Sequence, residues 1–142
     1  MSAEQNKATT RRIFEEVWNK GNLTVIDETS AANVVNHFIP PGMAAGAEGF
    51  KQFVMLYRGA FPDLRFTLDD VIAEGDQVVT RWTTHATHTG PLMNIPPTGK
   101  QTTVTGITIG RFDANGKAAE AWATFDQLGL LQQLGVIPMP GA

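Results

Sequence analysis

Residues 105–126 read TGITIGRFDANGKAAEAWATFD, two strand-like runs broken at Asn115 and Gly116. Asn-Gly suits the positive-φ positions of a tight hairpin turn. A two-residue loop there sets Arg111 opposite Glu120, Ile109 opposite Trp122 and Thr105 opposite Asp126. Opposite charges then face each other, which supports the register. Side chains alternate along a strand, so Glu120, Trp122, Thr124 and Asp126 share one face while Gly106, Gly110, Ala119, Ala121 and Ala123 take the other. Burying Trp122 carries Asp126 inward with it. The small-residue face becomes a smooth surface that another sheet or a second subunit can approach closely.

Upstream of this hairpin the period-two signal extends back to Leu64, with a first hairpin turning at Gly75 and Asp76 and Arg81 facing Asp70 across it. Before Leu64 the period changes. Thr10, Ile13, Phe14, Val17 and Trp18 recur at helical spacing, and Gly21 stops a helix that ends near Lys20. Asn22 is placed to cap a short second helix through Leu23 and Ile26. Residues 33–39 form a short edge strand, closed by Pro40, Pro41 and Gly42. A third helix over 47–59 carries Phe50, Phe53, Val54 and Tyr57 on one face, which a sheet must cover. Helices first and a strand meander afterwards describe an α+β domain, a curved antiparallel sheet wrapped over N-terminal helices. A chain of 142 residues makes one domain, 1–142, that buries roughly 70% of its unfolded surface and is large enough to enclose a pocket.

A net charge of −3, with Arg11 and Arg12 as the one basic doublet, gives no footprint for nucleic acid. The polar start and the lack of any 18-residue apolar run argue against a secretory signal or a membrane span, and the expected location is cytoplasmic. The chain has no cysteine, so thiolate nucleophiles and thiolate metal sites are excluded. His85 and His88, three apart in a strand, point to opposite faces and make a poor metal pair. Neither a metal nor a cofactor is expected.

With these residues in hand, the chain resembles the SnoaL-like polyketide cyclase (ester cyclase) group of the NTF2-like superfamily. The resemblance rests on Asn36, His37, Pro40–Gly42, Gly49–Lys51, Phe61–Asp63, Gly75–Asp76, Arg81–Trp82, Thr87, His88, Gly90, Ile95–Gly99, Val104–Gly106, Glu120, Trp122, Asp126 and the Leu128–Gly135 close. It covers nearly the whole chain. It implies a cone-shaped domain enclosing a pocket, and a lyase- or isomerase-type cyclase that closes a ring by intramolecular aldol condensation on a small carbonyl compound without a cofactor. In such enzymes an aspartate on the last long strand is both acid and base, and Asp126 stands at the matching place.

Asp126 and His37 are thus the catalytic candidates. A carboxyl against apolar walls has a raised pKa and can hold and return a proton; the same Asp126 is also well placed to cap a helix starting near Gln127. His37 polarises a carbonyl or bonds Asp126 in one reading, and is solvated in the other. Trp18, Phe53, Tyr57, Trp82, His88 and Trp122 are the substrate-contact candidates, since small-molecule pockets are mostly apolar. The proline-rich segment Pro91–Gly99 is a candidate lid. A homodimer, a non-catalytic binding domain and, more distantly, an epoxide hydrolase complete the expectations.

Overall fold

The computed structural model describes residues 2–138. Helix α1 (Ala3–Arg12) starts at a capping box between Ser2 and Gln5 and runs into a π-helical stretch, Ile13–Asn19. The wider turn ends at Gly21, whose φ of +74° suits glycine. There Arg58 Nη1 donates to the Trp18 carbonyl at 2.7 Å, satisfying an acceptor the helix end leaves open. Helix α2 (Thr24–Thr29) follows with Leu23 at its N-cap. Asn22 does not cap it; its side chain accepts from the Thr24 hydroxyl at 2.8 Å and shapes the preceding turn.

The remaining order is β1 (Ser30–Asn36), α3 (Gly46–Ala60), β2 (Arg65–Glu74), β3 (Gln77–Thr87), β4 (Gln101–Phe112), β5 (Ala118–Phe125) and α4 (Gln127–Gln133). The edge strand lies three residues before its expected place, because Pro40 and Pro41 have no N–H to donate and the last ladder bond is His37 N to the Ala121 carbonyl. One five-stranded sheet runs β1-β5-β4-β3-β2. Its pairs are antiparallel except β1 with β5, which is parallel, so the expected antiparallel sheet carries one parallel edge. The fold is α+β as the sequence implies.

Both hairpins keep their expected register. Glu74 pairs with Gln77 around Gly75 and Asp76, and Arg111 pairs with Glu120 and Ile109 with Trp122. The second loop is longer than two residues. A bulge lets Phe112 pair with Ala118, and the Asp113 carboxylate accepts from the Asn115 and Lys117 backbones at 2.9 and 3.0 Å, an Asx-type closure.

The facing is the reverse of what the size of Trp122 suggests. On β4 the buried residues are Thr102, Val104 and Phe112, the same parity as Gly106 and Gly110. Gly110 pairs with Ala121, so Ala121, Ala123 and Phe125 face inward. Trp122 is on the outer side, where it keeps its indole half-covered by stacking on His37 at 5.2 Å and 11° between planes. Gly106, Gly110, Ala121 and Ala123 are therefore on the internal side of the sheet, and the shift that pairs Phe112 with Ala118 parts Ala119 from them.

Against that inner face pack Phe14, Val17 and Trp18 of the first helix and Phe53 and Val54 of α3. Trp18 meets Phe66 at 5.0 Å and Phe66 meets Trp82 at 4.7 Å, a continuous aromatic line from helix to sheet centre. Asn19 fixes the helix to β2 by accepting from Phe66 N at 2.7 Å and donating to its carbonyl at 3.1 Å. The Trp82 ring lies across its strand neighbour Gly106, and a Cβ there would overlap the ring and come 2.8 Å from the Thr124 carbonyl. Gly106→Ala is expected to lower stability by about 1–3 kcal/mol through this overpacking, read by denaturant unfolding. A variant as stable as the parent would show that Trp82 does not press on this position.

Candidate functional site

Small inward residues leave space. Between the sheet and helices α1 and α3 lies a cavity of about 160 Å³. Its floor is Gly110, Ala121 and Ala123, and its walls include Phe14, Trp18, Phe53, Tyr57, Phe66 and Trp82. Ile13, Phe14 and Trp18 reach it from the π-helical stretch. Four expected contact residues, Trp18, Phe53, Tyr57 and Trp82, are therefore brought together.

The other four candidate residues are elsewhere. Asp126 is exposed, and its Oδ1 accepts from Gly129 N at 2.9 Å as the N-cap of α4. Gly129 permits this, since a Cβ there would collide with the carboxylate. The carboxylate lies outside the apolar lining of the cavity. His37 is 44% exposed in its side chain and its Nε2 lies 2.6 Å from Glu120, not near Asp126. Trp122 faces outward beneath it. His88 is fully buried but does not line the cavity: its Nδ1 accepts from Thr98 N at 3.2 Å and meets Thr98 Oγ1 at 3.0 Å. Its ring packs at 5.2 Å from Phe61, so it ties the proline-rich 91–99 loop to the end of β3. Backbone bonds from Gly99 N to the His88 carbonyl and between Leu92 and Ile95 hold that loop further.

Polar groups in the lining divide sharply. The hydroxyls of Thr10, Thr29, Thr84 and Thr102, all in the lining, donate to backbone carbonyls. Trp82 Nε1 donates to Thr108 Oγ1 at 2.9 Å. Asn36 Nδ2 and Thr80 Oγ1 are buried with no hydrogen-bond partner. Tyr57 is the single titratable residue among the described residues of the lining, and burial holds its phenol above the ordinary 10.0. At neutral pH it is a donor. Asn36 and Thr80 were missed as site residues, yet each stands at an inward position of an apolar strand, after Val34 and between Val78 and Trp82. A polar residue in the buried phase of a strand is the signal for them.

Charge is kept on the outer face. Glu120 sits between His37 and Arg111, the latter at 3.3 Å, and its hydrogen bond to His37, aided by Arg111, lowers its pKa below the ordinary 4.5. A carboxylate with a depressed folded pKa stabilises above its unfolded value, and that stability is lost as pH falls through the folded value. The stability gap between parent and Glu120→Gln should hold just above pH 4.5 and close as pH drops below it, followed by thermal unfolding. A gap that widens on acidification would reverse the assignment. For Asp126→Ala the expected loss is about 0.5–2 kcal/mol from the missing cap, with cavity ligand binding unaltered by fluorescence titration.

Comparisons with known proteins agree with this architecture. The family model for SnoaL-like polyketide cyclase matches residues 8–134. TsrD from Streptomyces laurentii is 27% identical with a TM-score of 0.87, over 96% of this chain and 99% of that one. AclR from Streptomyces galilaeus, a proposed hydroxylase, is 28% identical with a TM-score of 0.84, over 99% and 87%. IdmH from Streptomyces antibioticus, a proposed polyketide cyclase, is 30% identical with a TM-score of 0.79, over 92% and 99%. No curated protein matches the sequence.

Proposed function

Because the chain belongs to the SnoaL-like polyketide cyclase family, we propose that its cavity holds a small uncharged carbonyl compound for cofactor-independent ring closure, with Tyr57 as the hydrogen-bond donor to the reacting carbonyl. The observation that carries this is the composition of the lining, aromatic and aliphatic walls around one neutral phenol and no carboxylate, ammonium or guanidinium. Such a lining favours an uncharged ligand, since an unpaired charge there would lose its hydration with nothing in return. Its size narrows the class. A cavity near 150 Å³ is known to hold a benzene molecule, so about 160 Å³ suits a one- or two-ring compound rather than a tetracyclic one.

The reaction this supports differs from a carboxylate proton shuttle. A 1,3-dicarbonyl that enters as its enol already carries the proton that an aldol step must move. The enol carbon attacks a second carbonyl carbon of the same molecule, a carbon–carbon bond forms, and the enol C–O becomes C=O. The attacked oxygen gains negative charge, accepts a hydrogen bond from the Tyr57 phenol, and receives the enol proton. Atoms and charge balance without an external base. Apolar walls contribute by holding the two carbons together, replacing a rare folded conformer with the bound one, and Tyr57 acts where charge develops.

A non-catalytic binding domain is the second reading, favoured by the exposed capping role of Asp126. Epoxide hydrolysis by an Asp, Arg, Asp set loses its support: Arg81 bonds Asp70 at 2.7 Å and Arg111 bonds Glu120, both on the outer face. The test is turnover of a neutral 1,3-diketone bearing a further ketone at ring-closing distance. Tyr57→Phe is expected to keep its affinity and to lose turnover by a factor of about 10–100, while Asp126→Asn leaves the rate unchanged. Equal rates in parent and Tyr57→Phe would remove the phenol from the mechanism. Binding with no turnover in the parent would select the binding domain.

A further inference from the structure

We propose that Asn36 and Thr80 form a two-point oxygen anchor on the cavity wall, selecting flat one- or two-ring compounds with a carbonyl at one end and a hydroxyl at the other. This rests on the cavity being the substrate site. The two orphan groups belong to one face of the sheet. Asn36 on β1 pairs with Ala121 on β5, which pairs with Gly110 on β4. Two residues along, Ala123 pairs with Thr108, which pairs with Thr80 on β3. Asn36 and the Thr108–Thr80 pair thus stand at either side of a shallow strip of glycine and alanine.

Neighbouring strands are about 4.8 Å apart, so Asn36 on β1 and Thr80 on β3 are three spacings, about 14 Å, apart across the sheet between backbones, with an offset of two residues along it. The Asn36 and Thr80 side chains shorten that gap to the span of a fused bicyclic ring with a hydrogen bond at each end. A flat ring fits over Gly110, Ala121 and Ala123, whose side chains do not exceed a methyl group, with Thr108 between them and Thr80. Among the described residues none satisfies Asn36 Nδ2 or Thr80 Oγ1, and Thr80 is 1% exposed. Thr108 Oγ1 already accepts from Trp82 Nε1, which fixes the middle of the wall and leaves the anchoring to the two free groups. Asn36 Nδ2 donates to the carbonyl oxygen, and the Thr80 hydroxyl exchanges a hydrogen bond with the ligand hydroxyl. Neither contact requires a charge on either side.

Three probes of one shape test it: indane, 1-indanone and 5-hydroxy-1-indanone, titrated against the full-length protein by calorimetry or tryptophan fluorescence. The parent should bind 1-indanone more tightly than indane, and the hydroxy ketone more tightly still, by about 2–12-fold per oxygen. Asn36→Leu should erase the preference for the ketone over indane. Thr80→Val should erase the further preference for the hydroxyl. Indane affinity should survive in both variants and reports that each still folds. If Asn36→Leu loses indane as well, Thr80→Val and the parent's own ranking decide. Three equal affinities in the parent, as when ordered water already serves both groups, would overturn the anchor while leaving the cavity reading intact. Failure of all three to bind would sink the cavity reading itself.

Discussion

The whole arrangement depends on which side of β5 faces inward. With Ala121 and Ala123 on the inner side and Gly110 beside them, the sheet gives up volume at its centre, and helices held off by Trp18, Phe53 and Phe66 cannot collapse to refill it. An indole at either alanine would occupy the hollow. Native interiors are close-packed, and a void of this size persists only where stiff neighbours hold its walls apart. Here those neighbours are rings: Trp18 contacts Phe50, Phe53 and Phe66 within 6.1 Å, and Phe66 leans on Trp82. Aromatic contacts have preferred geometries and few torsions, so they make a wall that does not sag inward.

The same choice of face sorts the chemistry. The charged cross-strand pairs of the two hairpins, Arg81 with Asp70 and Arg111 with Glu120, stay on the outer face, where they are paired and wet. The inner face retains amide, hydroxyl, indole and phenol. Charges on such a floor would each need a partner in a space that has none. Neutral donors remain neutral under burial, and the phenol becomes harder to ionise. The cavity is therefore suited to orienting and polarising an uncharged ligand.

The sequence made most of the framework legible. Periodicity located the helices around Ile13–Trp18 and Phe50–Tyr57, and the Gly-Asp and Asn-Gly turns located both hairpins, with the facing charges Asp70 and Arg81, and Arg111 and Glu120, supporting their registers. The facing escaped for a physical reason. A period of two states which residues travel together but not which set is inside, and the size of Trp122 suggested the wrong set. Its cover comes from His37, eighty-five positions away in sequence, a contact no local pattern contains. Asp126 went outward with it, and its competing reading as a helix cap is the one the structure supports. Trp18, Phe53, Tyr57 and Trp82 were found because they obey the same periodicities as the core.

Asn36 and Thr80 express the cost of keeping such a space polar. Leaving a buried donor or acceptor unbonded costs about 1–3 kcal/mol each, a large share of the marginal stability of a domain this size. Apolar residues of the same shape, leucine at 36 and valine at 80, would relieve it without disturbing the strands. A sequence that commits four other threonine hydroxyls of the same lining to backbone carbonyls, and so shows how such groups are satisfied, leaves these two open. Under the proposed anchor these two groups are met by the oxygens of a ligand, which directs its binding free energy at two points.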